Sequence, residues 1–161
     1  MKKLKVYFDT NVIGYLDALD HPEKRADTLA MWEKVKQSEY DIVMSEVTFD
    51  ELEDIPVPAK LDTLKSYVAE ITYDRIDVNE EIIRMAEVIK HTGIIPLDKH
   101  HNDRLHLGCA LVAEADVIVS WNFNHMVNIT TIRGVKGVAM IEGYKPIDII
   151  TPTMLINKGE T

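Results

Sequence analysis

Leu4-Lys5-Val6-Tyr7-Phe8 runs straight into Asp9-Thr10-Asn11, and Val12-Ile13-Gly14-Tyr15-Leu16 follows. A short β-prone run, then three residues that cap helices well, then an apolar helical turn, together predict a strand leading directly into a helix. The alternation continues outward from there. Between Glu23 and Gln37, apolar Leu29, Trp32 and Val35 recur among charged neighbours, the spacing of an amphipathic helix. Tyr40 to Met44 reads as a second strand. Ser45 stands where it can cap a helix running through Val47, Leu52 and Ile55, and Pro56 stops it. Pro58 opens another helix, with Leu61, Leu64, Tyr67 and Val68 on one face.

Ile71 to Val78 alternates apolar residues and reads as a strand or an extended connector. A helix starts at Asn79, carries Ile82, Ile83, Met85, Ala86 and Ile89, and closes at Gly93. Ile94 to His101 contains Pro96 and reads as a loop, and a helix is expected from about Asn102 to Ala115. Val117-Ile118-Val119-Ser120 is a continuous β-branched run, the pattern of a strand buried on both faces. Gly134 and Gly137 predict a loop, with short strands at Val138 to Ile141 and Ile147 to Ile150. Strands alternating with helices imply an α/β fold, a mostly parallel central sheet flanked by helices. No Pro/Gly/Ser linker divides the sequence, so one domain over residues 1–161 is expected.

The 161 residues carry 18 Lys and Arg against 27 Asp and Glu, a formal net charge of −9. Hydrophobic residues at 46% and charged residues at 28% suit a globular chain able to bury its own core. The single cysteine, Cys109, excludes an internal disulfide framework and a CxxC redox pair. No apolar run approaches the roughly 20 residues of a membrane span, so the expectation is a cytoplasmic protein with no membrane partner. The acidic balance argues against unaided electrostatic capture of nucleic acid. It leaves a nuclease open, because carboxylates gathered to hold a divalent metal add negative charge of their own.

In open α/β sheets, ligands bind outside the carboxyl ends of the strands. Asp9, Ser45-Glu46 and Ser120-Trp121-Asn122 fall at such ends. Asp9 is equally suited to capping the next helix. Glu46, Asp50, Glu51, Glu53 and Asp54 crowd one short helix; most suit a solvated face, but Glu51 borders the Val47–Leu52–Ile55 stripe and can reach inward. Asp103 falls in the first turn of an apolar helix, with His106 one turn later on the same side. His100, His101, His106 and Cys109 lack a second close pair with zinc-ligand spacing. Neither GxGxxG, Walker A nor GxSxG occurs. What remains is a carboxylate set, and gathered carboxylates repel one another unless a cation neutralises them. Oxygen ligands of this kind select Mg²⁺ or Mn²⁺.

Four short segments resemble the PIN-domain ribonucleases, and among them the VapC-type toxins of toxin–antitoxin pairs. Val6 to Ile13 is similar to that family's hydrophobic strand, acid and Thr/Ser-Asn turn. Ser45-Glu46-Val47-Thr48-Phe49-Asp50-Glu51-Leu52 resembles its second motif and assigns the acid to Glu51 in preference to Glu46. Asn102-Asp103-Arg104-Leu105-His106-Leu107 resembles the third, with Asp103 as the acid. Ala115 to Asn122 resembles the last, although its fourth acidic position holds Asn122. The four motifs occur in the family's order across nearly the whole chain.

The resemblance implies a PIN-like domain that hydrolyses RNA phosphodiesters with Mg²⁺ or Mn²⁺. Asp9, Glu51 and Asp103 are the implied catalytic and metal-holding acids, and Asn122 is the fourth metal-site position with one charge fewer. Thr10, Asn11 and Ser120 are expected to orient the acids, and Asn124 and His125 to offer contacts to phosphate or cap a helix. Lys99, His100, His101 and Arg104 flank Asp103 and are candidates to line the cleft. The implied partners are an RNA substrate, a cognate antitoxin and a second copy in a homodimer. Two other readings compete. A haloacid-dehalogenase-like phosphatase also begins with a strand leading to Asp, but it wants an acid where Asn11 stands. A PIN domain that has lost catalysis and binds RNA or protein is the other, kept open by Asn122 and the acidic charge.

Overall fold

The computed structural model describes residues 2–157. Five strands form one all-parallel sheet: β1 (Leu4–Phe8), β2 (Tyr40–Ser45), β3 (Asp74–Ile76), β4 (Val117–Val119) and β5 (Asp148–Ile150). Their order across the sheet is β3-β2-β1-β4-β5. The chain therefore builds outward from β1 in one direction, then returns to its other side. Tyr7 lies beside Val43 on β2 and Ile118 on β4. The edge strands β3 and β5 have three residues each, and Asp74, Arg75 and Asp148 on them are exposed.

Period-two alternation divides the core between two faces. Val6 and Phe8 of β1, Ile42 and Met44 of β2, and Val117 and Val119 of β4 enter one buried cluster. That face is covered by α1 (Thr10–Tyr15), α2 (Pro22–Lys36), α4 (Pro58–Val68) and α8 (Pro152–Ile156). Tyr7, Val43 and Ile118 enter the other, beneath α5 (Glu80–His91), α6 (His101–Val112) and α7 (Ile129–Glu142). The remaining helix, α3 (Glu46–Glu53), follows β2 without a connecting loop. Among the described residues, no helix is long and apolar enough to cross a membrane.

Helix α5 follows the local rules closely. The Asn79 side chain accepts a hydrogen bond from Ile82 N at 2.9 Å, Glu80 and Glu81 occupy the first turn, and Lys90 and His91 the last. Ile82, Met85, Ala86 and Ile89 are its buried stripe. Gly108 lets α6 approach α5 closely, since a Cβ there would sit 2.8 Å from the Ile82 carbonyl oxygen. This contact seats the helix that carries Asp103 and His106.

The loop expected at Gly134 and Gly137, and the strand expected at Val138 to Ile141, are both replaced by α7. Asn128 caps it by accepting from Thr131 N at 2.9 Å, and Gly143 closes it at φ 81°. Thr131, Val135, Val138 and Ala139 form a helical buried stripe through the two glycines. Gly134 has a packing reason, because a Cβ there would meet Ile94 Cδ1 at 2.5 Å.

Candidate active site

The strand order reverses between β1 and β4, and crevices for ligands form at that point, outside the carboxyl ends. Asp9 follows β1 there, and Ser120 follows β4. Asp9 occupies the N-cap position of α1, yet its side chain makes no capping bond. Its Oδ2 instead accepts from Ser120 Oγ at 2.7 Å and from Asn11 Nδ2 at 3.1 Å. Asn11 Oδ1 accepts from Trp121 N at 2.9 Å, so this one amide ties both central strand ends together.

Glu51 reaches the same crevice from α3, and Asp103 from the first turn of α6. Asp9, Thr10, Asn11, Glu51, Asp103 and Asn122 line one cavity of about 350 Å³, with Lys60 also on its wall. Thr10 Oγ1 donates to Glu51 Oε1 at 2.7 Å. Glu46 faces elsewhere: its Oε1 accepts from Val78 N at 2.9 Å and anchors the entry to α5. Asn122 lies on the cavity wall with its side-chain oxygen accepting from His125 N at 3.0 Å. Asn124 is exposed and lies outside that lining; its carbonyl accepts from Asn128 Nδ2 at 3.0 Å. Lys99, His100 and His101 line an adjoining depression with Glu51, Asn102 and Asp103. Arg104 does not join them. It is buried, and its Nη1 donates to the carbonyls of Ile95 at 2.8 Å and Leu97 at 2.7 Å.

His106 is the group that sequence reasoning placed too modestly. It is 1% exposed and lies between two of the acids. Its Nε2 donates to Glu51 Oε1 at 2.5 Å and lies 3.6 Å from Asp9 Oδ1. Its Nδ1 is hydrogen-bonded to Tyr7 OH at 2.6 Å, which is in turn bonded to Ser45 Oγ at 2.7 Å. Burial opposes a charged imidazole, but the Glu51 hydrogen bond and the charges of Asp9, Glu51 and Asp103 outweigh it, and the pKa of His106 is raised.

The acids respond in opposite directions. Burial drives Asp9 above the ordinary carboxylate range; His106 and Ser120 pull it down, and the charges of Asp103 and Glu51 push it up again. Burial also pushes Glu51 upward, but hydrogen bonds from His106, Thr10 and Asn102 and the His106 charge leave it below the ordinary value. A buried carboxylate whose neighbours are two further acids is stabilised by positive charge, and oxygen-only donors suit a hard divalent cation. Asp9, Glu51 and Asp103 fit such an ion by chemistry. The ligating atoms that lie within 4.8 Å of one another among the described residues are those of His100, Asp103 and His125, not the three acids.

On either side of Asn122 in sequence, Trp121 and Phe123 join Tyr15 and Lys24 in a cationic and aromatic cluster. The Lys24 ammonium lies 5.5 Å from the Tyr15 ring centroid, 5.6 Å from Trp121 and 5.3 Å from Phe123, and Phe123 is half exposed.

No family model matches the chain, and no curated protein matches it. Among solved structures it is similar to a chain in the crystal structure of VapBC2 from Rickettsia felis bound to a DNA fragment from their promoter. The two share 15% identity and a TM-score of 0.57, over 92% of this chain and 98% of that one. At that identity the likeness is one of fold: this chain shares the α/β architecture of a chain in that complex.

Proposed function

We propose that this chain is a metal-dependent ribonuclease of the PIN type, acting as a VapC-like toxin. The observation that carries the reading is the convergence of Asp9, Glu51 and Asp103, from three separate segments, on one crevice where the strand order reverses. The fold likeness to the VapBC2 chain supports it. Asp9, Glu51 and Asp103 would hold Mg²⁺ or Mn²⁺, with Asn122 beside them. Such an ion, when bound, sharpens a water nucleophile and stabilises charge on phosphoryl oxygens. Ser120 and Asn11 fix the rotamer of Asp9, and Thr10 and His106 fix that of Glu51, so the oxygens are oriented before substrate arrives. Glu51, held ionised by these bonds, is suited to orient a water in the crevice. Lys60, on the cavity wall, supplies local positive charge for phosphates.

The fold likeness also makes an antitoxin the expected partner. The acidic crevice suits a cationic side chain from such a protein, an Arg above all, through charge-assisted hydrogen bonds. A homodimer and a cytoplasmic location accompany the same reading.

His106 favours a second reading. Its imidazole lies where it neutralises Asp9 and Glu51 without metal, and the Asn122 oxygen is already engaged by His125 N. A domain that binds RNA or protein without cutting needs no more than this.

The test is cleavage of structured and single-stranded RNAs with Mn²⁺, Mg²⁺ or EDTA, comparing wild type with Asp9→Asn. The ribonuclease reading expects metal-dependent cleavage in wild type and a loss of at least about a hundredfold in the variant, whose fold stays intact by circular dichroism. Equal cleavage by both proteins would exclude the site. Absence of cleavage by a folded, metal-loaded wild type, on any RNA, would favour the binding module.

A further inference from the structure

Two imidazoles stand beside the crevice, outside the carboxylate set. His125 Nδ1 lies 2.8 Å from Asp103 Oδ2, and His100 Nδ1 lies 3.9 Å from the same oxygen. The two histidine rings are 3.9 Å apart between centroids, tilted by 54°. All three ligating atoms lie within 4.8 Å of one another, and each residue is only partly buried, so the cluster is open to solvent on one side. We propose that His100, Asp103 and His125 form a binding site for a borderline transition-metal dication of the Zn²⁺ class, beside the acidic cavity and sharing Asp103 with it.

The donor set decides the class. Two imidazole nitrogens and one carboxylate oxygen suit Zn²⁺ and Co²⁺, whereas Mg²⁺ prefers oxygen donors. The spacing agrees. An ion bound tetrahedrally at about 2.0–2.2 Å from each ligand sets its ligands about 3.3–3.6 Å apart. The distances of 2.8 and 3.9 Å bracket that range, so small side-chain rotations close the site. A fourth position faces solvent and is free for water or a phosphate oxygen.

Each ligand is also anchored by its own element. His100 ends a 3₁₀ turn, Asp98–His100, whose Asp98 is paired with Lys90 of α5 at 2.7 Å. Asp103 is in the first turn of α6. His125 is held on both sides of its peptide: its N–H donates to Asn122 Oδ1 at 3.0 Å, and its carbonyl accepts from Thr131 Oγ1 at 2.8 Å. Asn122 thus acts here by locking the loop that delivers His125. Because Asp103 also lines the acidic cavity, its carboxylate joins the two sites.

The proposal needs only these side chains and does not rest on RNA cleavage. EDTA-stripped full-length protein is titrated with Co²⁺ in excess Mg²⁺, reading visible d–d absorption and calorimetric stoichiometry, and Zn²⁺ then displaces the Co²⁺. The expected result is one Co²⁺ with a tetrahedral spectrum in wild type and in Asp9→Asn. His100→Gln and His125→Gln should each weaken Co²⁺ binding by at least tenfold. In parallel, histidine ¹⁵N NMR of unsubstituted protein should show Zn²⁺ shifting His100 and His125 but not His91, which remains a readout if a variant misfolds. The proposal is overturned if folded wild type binds no Co²⁺ or Zn²⁺. It is equally overturned if Asp9→Asn loses the spectrum while the histidine variants keep it, or if neither His100 nor His125 shifts. Cleavage assays are a separate measurement, so either result leaves the ribonuclease reading to its own test.

Discussion

His106 shows how one side chain sets the electrostatics of this crevice. Its folded pKa is raised above the ordinary 6.5, so folding favours the protonated form. Its contribution to stability is therefore complete below about pH 6.5 and is lost as pH rises through the raised folded value. Thermal melts in EDTA should show the wild-type Tm falling as pH rises above about 6.5, and the same range should be flatter in His106→Gln. A wild-type Tm constant across that range would contradict the protonated imidazole. Asn11 is tested without pH. Asn11→Ala removes bonds to Asp9, Ser120 and Trp121 N, which should cost about 1–3 kcal/mol in urea unfolding. A variant as stable as wild type would mean that the two strand ends need no such tie. These bonds were hard to read from sequence. Asp9, Glu51 and Asp103 stand at strand-end and helix-face positions and are singled out by the family resemblance, but Tyr7 and His106 are 99 residues apart, and no local period signals their pairing.

At the scale of elements, glycine has three different meanings in two helices. Gly137 in α7 has open space where a Cβ would go, so Gly137→Ala should stabilise by up to about 1 kcal/mol through helix propensity alone. Gly108 in α6 faces backbone, and Gly108→Ala should cost about 1–3 kcal/mol because α5 and α6 must separate. Gly134 meets the Ile94 side chain, Cδ1 at 2.5 Å and Cγ1 at 2.8 Å, rather than backbone, and belongs between them. Chemical denaturation of the three variants gives the ranking, and a Gly108→Ala protein as stable as Gly137→Ala would contradict the close helix contact. The same residues explain why α7 was misread from sequence. Two glycines among the first nine residues of α7 outweighed a Thr131–Val135–Val138–Ala139 stripe that has helical spacing. Propensity is local, whereas burial of that stripe against α5 and β5 is tertiary. By contrast β1, β2 and β4 were legible as short β-prone runs, and α5 by its apolar period between a cap and a closing glycine. His125 was not legible as a neighbour of Asp103, since the loop after β4 returns it across 22 residues of chain.

Across the whole molecule, the buried cluster under α5, α6 and α7 protects Cys109, which is fully buried. Burial pushes its thiol up to about 11. Near pH 8 only on the order of a thousandth would be thiolate even if reagent could reach it. Alkylation of native protein should therefore be orders of magnitude slower than of free cysteine and should accelerate in step with global unfolding, as read by Trp32 and Trp121 fluorescence. Fast labelling well below the unfolding midpoint would show that α6, with its Asp103 and His106, opens independently. The short, charged outer strands also govern how copies of this chain can meet. An exposed strand edge is a template for adding foreign β-structure, the first step toward fibrous aggregates. Here each border offers only three residues, and Asp74, Arg75 and Asp148 place charge on them. Stacking one molecule's sheet onto another's is thereby discouraged at both ends, leaving helical faces and the crevice as the surfaces through which this chain can associate.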